Sequence, residues 1–396
     1  MLQISPETQL FIREHSSDDV RALALQAKKY PDINMPTAIT QIAGRQVAAE
    51  KIPSWREIEE IWYPKHLSLE QCSSEITARY KARLFQGDSL IDLTGGFGID
   101  CSFLATGFKT ATYVERQEEL CEIAAHNFPI LNLNHINVRN EDGVAYLQSM
   151  SPVDCIFLDP ARRNEHGGKT VAISDCEPNV AELEALLLSK ANRVMIKLSP
   201  MLDLSLALKE LKHTQEIHIL SVNNECKELL ILLGQTSPAE IAIHCVNLLT
   251  KGTQEEQHLV FTREQEQRSQ CTYTDSLGNY LYEPNASLLK AGAFRSIAAA
   301  YPVRKLHPNS HLYTSDSFIE NFPGRIFRIV NQCSFNKKEV KENLADLKKA
   351  NVTVRNFPTT VAELRKRLHL TEGGDTYLFA STLNNGQKVI IRCEKV

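Results

Sequence analysis

One turn constrains this chain more than any other feature. The apolar run Leu90-Ile-Asp-Leu93 breaks into Thr94-Gly-Gly-Phe-Gly98, and Ile99-Asp100 then opens a helical pattern. Closely spaced glycines after an apolar run let the backbone turn tightly and let a ligand come close, as at the first strand-to-helix turn of an open α/β sheet. The flanking sequence agrees. Residues 89–94, 110–115, 135–138, 154–159 and 193–198 are short apolar runs, with helical stretches such as 117–128 and 180–190 between them. That alternation predicts βαβ units and a parallel sheet covered on both faces. Two further runs, 216–222 and 228–233, are separated only by Asn223-Asn-Glu-Cys-Lys227. So short a link cannot make a parallel crossover, so they read as an antiparallel hairpin. The expected domain, 86–240, is α/β with five parallel strands and a terminal hairpin.

The length, 396 residues, leaves room for more than one core. Residues 1–85 carry helical periodicity, with Ile39, Ile42, Val47 and Ala48 near one face and Pro31, Pro36, Pro53 and Pro64 as punctuation. A helical N-terminal region is expected there. Residues 241–323 read as a small β-rich domain, with strands at 241–248 and 258–263, a hairpin within 271–280 and a helix after Asn285. The tail, 324–396, reads strand 325–330, helix 337–350, strand 352–357, helix 360–368 and a hairpin around Asn384-Asn385-Gly386. It forms a separate small α/β domain.

Composition removes several classes. With 43% hydrophobic and 23% charged residues the chain is neither disordered nor fibrous. No run approaches the ~18 apolar residues of a membrane span, and the N-terminus shows no secretory signal pattern. Ten cysteines occur without a CxxC pair, which points to free thiols in a reducing cytoplasm. Gly168-Lys169-Thr170 ends like a phosphate loop, but Arg163 stands where its first glycine belongs, so NTP hydrolysis is rejected. His307 and His311 flank Pro308 in a loop, and no metal site is read.

Twenty residues after Gly95, Glu115 closes the second strand, where a carboxylate can accept both hydroxyls of an adenosine ribose. A dinucleotide fingerprint would need a third glycine where Cys101 stands, and a dehydrogenase sheet would need a sixth parallel strand. The pattern D-x-x-x-G-x-G led by Asp92 instead resembles motif I of class I S-adenosylmethionine-dependent methyltransferases. The resemblance implies a Rossmann-like fold with S-adenosyl-L-methionine held by Asp92, Thr94, Gly95, Gly96, Phe97 and Gly98. It further implies Glu115 on the ribose, Asp142 on the adenine, and Asp159-Pro160 as motif IV facing the methyl group. Asp142 also reads as a plain helix N-cap.

Amino-group methyltransferases commonly carry [DNS]-P-P-[YFW] at motif IV, whereas this chain has Asp159-Pro-Ala-Arg-Arg163. Asp159, Pro160 and Arg162 are the catalytic candidates, since a guanidinium can stack on a base or clamp a phosphate. Methylation at a base carbon is the competing chemistry and would need a cysteine nucleophile. Cys155 reads as core, and Cys226, in the hairpin link, is better placed. Lys197 and Ser199 close the fifth strand at the same edge, and Ser73, Thr77 and Lys81 precede the first strand near the cofactor.

The net charge of -4 divides unevenly. Residues 324–396 hold 14 Lys plus Arg against 7 Asp plus Glu, or +7, and the remainder carries 30 - 41 = -11. A basic appendage on an acidic body suits a polyanion such as RNA. The whole chain resembles bacterial class I methyltransferases with a C-terminal THUMP-like domain. The marks are Gln41-Ile-Ala-Gly-Arg45, Gln71-Cys-Ser-Ser-Glu75, the Asp92 and Asp159 motifs and Tyr282-Glu-Pro-Asn-Ala286. That resemblance implies a ferredoxin-like domain before the tail and RNA (tRNA or rRNA) as the partner, methylated at a base. Two alternatives stay open: a methyltransferase of a protein or small molecule, and a non-catalytic RNA-binding protein on a methyltransferase scaffold.

Overall fold

The structure, a computed structural model, describes residues 4–162, 172–252 and 254–396. The chain divides into two compact units, Met1–Gln215 with Leu230–Ser237, and Glu216–Leu229 with Pro238–Val396.

Unit 1 begins with helices α1 (Pro6–Glu14), α2 (Val20–Leu25), α3 (Met35–Lys51), α4 (Pro53–Arg56), α5 (His66–Gln71) and α6 (Glu75–Leu84). Pro6, Pro36 and Pro53 lie in first turns, where a missing N–H leaves no bond unmade. Side chains of Ser5, Asp19 and Asn34 cap the starts of α1, α2 and α3. The all-helical reading of this region matches the structure. Strands β1 (Gly87–Asp92), β2 (Phe108–Glu115), β3 (Ile136–Asn140), β4 (Val153–Leu158) and β5 (Ala191–Leu198) follow. All are parallel, in the order β3-β2-β1-β4-β5. Helices α7 (Ile99–Leu104), α8 (Glu118–Ile130), α9 (Gly143–Ser149) and α10 (Val180–Lys190) make the crossovers, and α11 (Leu204–Glu210) follows β5. Beyond β5 lies the Leu230–Gly234 half of a later strand. The five parallel strands therefore agree with the sequence reading. Their central residues, among them Leu90, Ile91, Ile156, Phe157, Val194 and Ile196, are buried.

In unit 2, β6 (Thr214–Val222) turns back into β7 (Glu225–Gly234) through Asn223 and Asn224, both at positive φ, the conformation a two-residue hairpin requires. The sequence reading closes the sheet domain at 240, but β8 (Ala242–Leu248) pairs in parallel with β6, from Ala242↔Glu216 to Leu248↔Val222. Strand β9 (Glu256–Phe261) then pairs antiparallel with β8. Pairing on both sides satisfies the backbone N–H and C=O groups of β8, whose apolar side chains Ile243, Cys245, Val246 and Leu248 are buried.

After α12 (Arg263–Arg268) come β10 (Tyr280–Pro284), α13 (Ala286–Ala291), α14 (Phe294–Ala300), β11 (Arg304–Lys305) and β12 (Tyr313–Ser315). The tail is β13 (Gly324–Ser334), α15 (Lys337–Leu344), β14 (Asn351–Val354), α16 (Val361–Leu368), β15 (Thr376–Thr382) and β16 (Lys388–Lys395). These strands form one seven-stranded sheet, β11-β12-β10-β13-β16-β15-β14. The predicted hairpin within 271–280 does not form. Tyr280–Pro284 pairs instead with Tyr313–Ser315 and with Gly324–Arg328, and Gly278 packs too closely on the Ser315 carbonyl for any Cβ. The helix expected over 337–350 stops at Leu344, because the backbone at Lys348 and Ala350 bonds to Thr371 instead.

Among the described residues no helix is long and apolar enough to cross a membrane, and the ten cysteines are unbridged.

Candidate functional site

The glycine turn sits at the C-terminal edge of β1, and its backbone bonds are fully committed. Leu93 N donates to Phe157 O (3.0 Å), Gly95 N to Val114 O (2.9 Å) and Gly96 N to Glu115 Oε2 (2.9 Å). Each glycine has its own reason. A Cβ on Gly95 would lie 2.2 Å from the Tyr113 ring, so this glycine serves packing. Gly96, at φ +53°, meets nothing nearer than Thr94 O at 3.8 Å and opens to space that a ligand can fill. Tyr113 also donates its hydroxyl to Gly96 O at 2.5 Å, clamping the turn from below. Phe97, expected on the cofactor, points the other way: its ring packs edge-on to Trp55 at 5.3 Å within the helical region. It anchors the turn from behind, because an aromatic ring is worth more buried than aimed at a polar ligand.

Asp92 is the site's unusual acid. It is 1% exposed; Oδ1 accepts from Thr94 N at 3.0 Å, and Oδ2 has no hydrogen-bond partner. Burial raises its pKa well above the ordinary carboxylate value; the Thr94 N–H opposes this, and Asp100, Asp159 and Glu115 push further upward. Thr94 joins the two motifs by accepting the Asp159 N–H on Oγ1 at 2.6 Å. Glu115 accepts from Gly96 N through Oε2 and from Gln117 N (2.8 Å) through Oε1, so it props the turn and starts α8. Each carboxylate oxygen still has a lone pair for a ribose hydroxyl. Asp142 is the N-cap of α9, with Oδ1 accepting from Val144 N and Ala145 N at 3.0 Å. A Cβ on the next residue, Gly143, would fall 2.2 Å from Leu93 O, so the start of α9 is pressed against the turn.

Beside Asp92 lies a second group that the motifs only partly announce. Asp100, in the first turn of α7, accepts from Ser73 Oγ at 2.7 Å and faces Lys81 Nζ at 2.9 Å and Lys197 Nζ at 3.5 Å. Lys81 is fully buried and also donates to Ser73 Oγ (2.9 Å). Lys197 reaches on to Asp159 Oδ2 at 2.5 Å. Burial alone would raise the Asp100 pKa, but the two ammonium groups and the bonds from Lys81 and Ser73 outweigh it and leave it below the ordinary value. Two lysines and two aspartates thus neutralise one another.

The structure therefore gathers Asp92, Thr94, Gly96, Glu115, Asp142, Asp159, Ser73, Lys81 and Lys197 around one sheet edge in unit 1. Sequence reasoning missed Asp100 and Tyr113. The signal for Asp100 was a charged residue at an otherwise apolar helix start, with two lysines read as near the same edge. Pro160 is buried beside Asp159, and the backbone of Ala161–Arg162 pairs with Cys176–Glu177. The Arg162 side chain, Arg163 and the Gly168–Thr170 motif lie outside the described residues. Burial pushes the Cys155 and Cys226 thiols up to about 11, so neither supplies a thiolate near neutral pH.

The basic tail of unit 2 also resolves into two classes. Arg325 and Arg355 pair with Glu283, Arg328 with Glu394, Arg365 with Glu372 and Arg392 with Asp346. Those arginines hold the fold. Lys337, Lys338 and Lys341 on α15, with Lys348, Lys349 and Lys366, are exposed and make no ion pair among the described residues.

Comparison with known proteins agrees with this architecture. Residues 280–323 match a ferredoxin-like domain, and residues 324–395 match a THUMP domain-like model. No curated protein matches the sequence. The crystal structure of a candidate methyltransferase from Porphyromonas gingivalis W83 superposes with a TM-score of 0.87 at 34% identity, covering 100% of both chains. An rRNA methylase from Streptococcus thermophilus matches at 13% identity and TM-score 0.31, over 41% of this chain and 96% of that one. TrmK from M. capricolum, solved with S-adenosyl-homocysteine, matches at 12% identity and TM-score 0.32, over 41% of this chain and 68% of that one. Likenesses of that size bear on neither activity nor substrate.

Proposed function

The chain belongs to the family of the Porphyromonas gingivalis protein, and from that premise we propose that it is a cytoplasmic S-adenosylmethionine-dependent methyltransferase acting on a base in RNA. The observation that carries the reading is Asp92 Oδ2, buried without a hydrogen-bond partner among the described residues, at the end of the strand that leads into the open turn of Gly96. A buried acceptor that nothing in the protein satisfies is costly, and a bound ammonium would satisfy it. The cofactor fits this donor set, because its amino acid end carries an ammonium and its ribose carries two hydroxyls. Asp92 would hold the ammonium, Glu115 the ribose and Asp142 the adenine amino group. When bound, the cofactor supplies an activated methyl on a sulfonium.

The chain's own residues would do the rest by alignment. Lys197 fixes the Asp159 carboxylate through Oδ2, and the side chain stays 37% exposed, so it can accept from a substrate N–H. Thr94 ties the Asp159 backbone to the same turn that faces the cofactor, so nucleophile and methyl donor are referenced to one rigid element. An exocyclic amino group is the target this motif IV acid suits, since its partly exposed carboxylate can accept a substrate N–H. RNA as substrate rests on the unpaired lysines of the THUMP-like domain.

Mass spectrometry of nucleosides from total RNA, with and without the protein, tests this reading. A methylated nucleoside that disappears with the protein and returns with purified enzyme and S-adenosylmethionine supports it. An unchanged profile, with methyl transfer to protein instead, contradicts the RNA assignment.

A further inference from the structure

Unit 2 carries a row of imidazoles that the proposed reaction does not use. His218 on β6 stands directly opposite His244 on β8, while His258 on β9 stands opposite Val246. Cross-strand partners and residues two apart share a face, so Glu216, His218, His244 and His258 all project from the same side of the sheet. The rings of His218 and His244 stack with centroids 4.3 Å apart and planes 13° from parallel. His218 Nε2 lies 3.3 Å from Glu216 Oε2, and His244 Nδ1 lies 3.2 Å from His258 Nε2. One donor atom from each of Glu216, His218 and His244 falls within 4.8 Å of the others.

Those separations have a natural scale. Ligands at about 2.0–2.1 Å from a tetrahedral ion stand roughly 3.3–3.4 Å from one another. The Glu216–His218 pair is already at that spacing, and a rotation of the His244 ring out of the stack brings its in-plane lone pair to the same point. Burial also grades along the row: His218 is 2% exposed and His258 is exposed, giving an inner ligand and a solvent entry path. A set of imidazole nitrogens with one carboxylate oxygen suits a borderline transition ion and not magnesium or calcium, which take oxygen shells.

We propose that Glu216, His218 and His244 form a zinc site that ties β6 to β8, with His258 on β9 in hydrogen-bond contact with His244 beside it. It stands independently of the methyltransferase reading, since none of its residues belongs to that site. Glu216 and His218 share β6, but His244 comes from β8, so the set meets only when the strands pair, which is why the sequence reading found no metal.

The test uses the full chain without a histidine tag, stripped with a chelator and titrated with zinc by calorimetry. One equivalent should bind, and H244Q and E216Q should each weaken binding at least tenfold with unchanged circular dichroism; H258Q should lose less. Cobalt loading of the wild-type protein gives a second readout that needs no variant. Absorption of a tetrahedral site without a thiolate charge-transfer band supports these ligands. No zinc uptake at micromolar concentration, wild-type affinity in H244Q, or a thiolate band would overturn the proposal.

Discussion

Asp92 and Asp100, on either side of one glycine turn, are buried in the same unit, yet their carboxyls shift in opposite directions. Asp100 has two lysines and a serine around it and is held ionised. Asp92 has one backbone N–H, an orphaned oxygen and only acids as charged neighbours. Carboxyls pushed apart by their surroundings mark different tasks. The lysine-filled side is complete as it stands and is built to position. The Asp92 side is desolvated and faces other acids, and under the proposed function its ligand brings the cation.

The largest effect expected from breaking this contrast is on stability. Lys81→Met leaves Asp100 buried with half its compensation, and loss of one partner of a buried pair costs about 3–5 kcal/mol. Urea denaturation should show that loss, and Lys81→Arg should recover little because the site is fully buried. Next comes cofactor affinity. Asp92→Asn removes the charge but keeps the shape, and should weaken S-adenosylmethionine binding by about 1.5–3 kcal/mol, the worth of a hydrogen bond to a charged group. Lys197→Met should cut the methyl-transfer rate roughly 10²-fold or more, as for loss of one oriented polar group, while cofactor affinity stays within about twofold.

The two acids also give opposite pH signatures. In the ligand-free protein Asp92 keeps its proton above pH 3.8, the ordinary value at which the unfolded chain releases it. The folded state then binds more protons, so this residue's contribution to stability falls as pH rises above that value. Asp100, with its pKa lowered, contributes stability that is present above pH 3.8 and lost as pH drops through its folded value. The stability of D92N relative to wild type should therefore improve from pH 4 to pH 7, whereas the deficit of D100N should shrink as pH falls below 3.8. The smallest effect lies in unit 2: alanine at Lys337, Lys338 and Lys341 should reduce the salt dependence of RNA binding by up to about two units of slope, at ~0.7 per contact.

The sequence carried the sheet of unit 1 because apolar runs and glycine turns are local. It carried Asp92, Glu115 and Asp159 because each ends a strand. It could not carry the meaning of Asp100, whose lysines arrive from α6 and β5, nor show that Phe97 faces away from the turn's open side. It also separated 241–248 from the strand it pairs with, since parallel pairing leaves no local mark. The overall excess of tail positive charge was legible, but only the fold shows that the arginines are consumed internally and the lysines are not.

Burial raises the Asp92 pKa, and a cationic cofactor beside it would favour the carboxylate. Calorimetry of S-adenosylmethionine binding near neutral pH, in buffers of differing ionisation enthalpy, measures this directly as protons released. Proton release is expected in the wild-type protein and none in D92N. Binding of equal affinity in both, with no proton released by either, would contradict it.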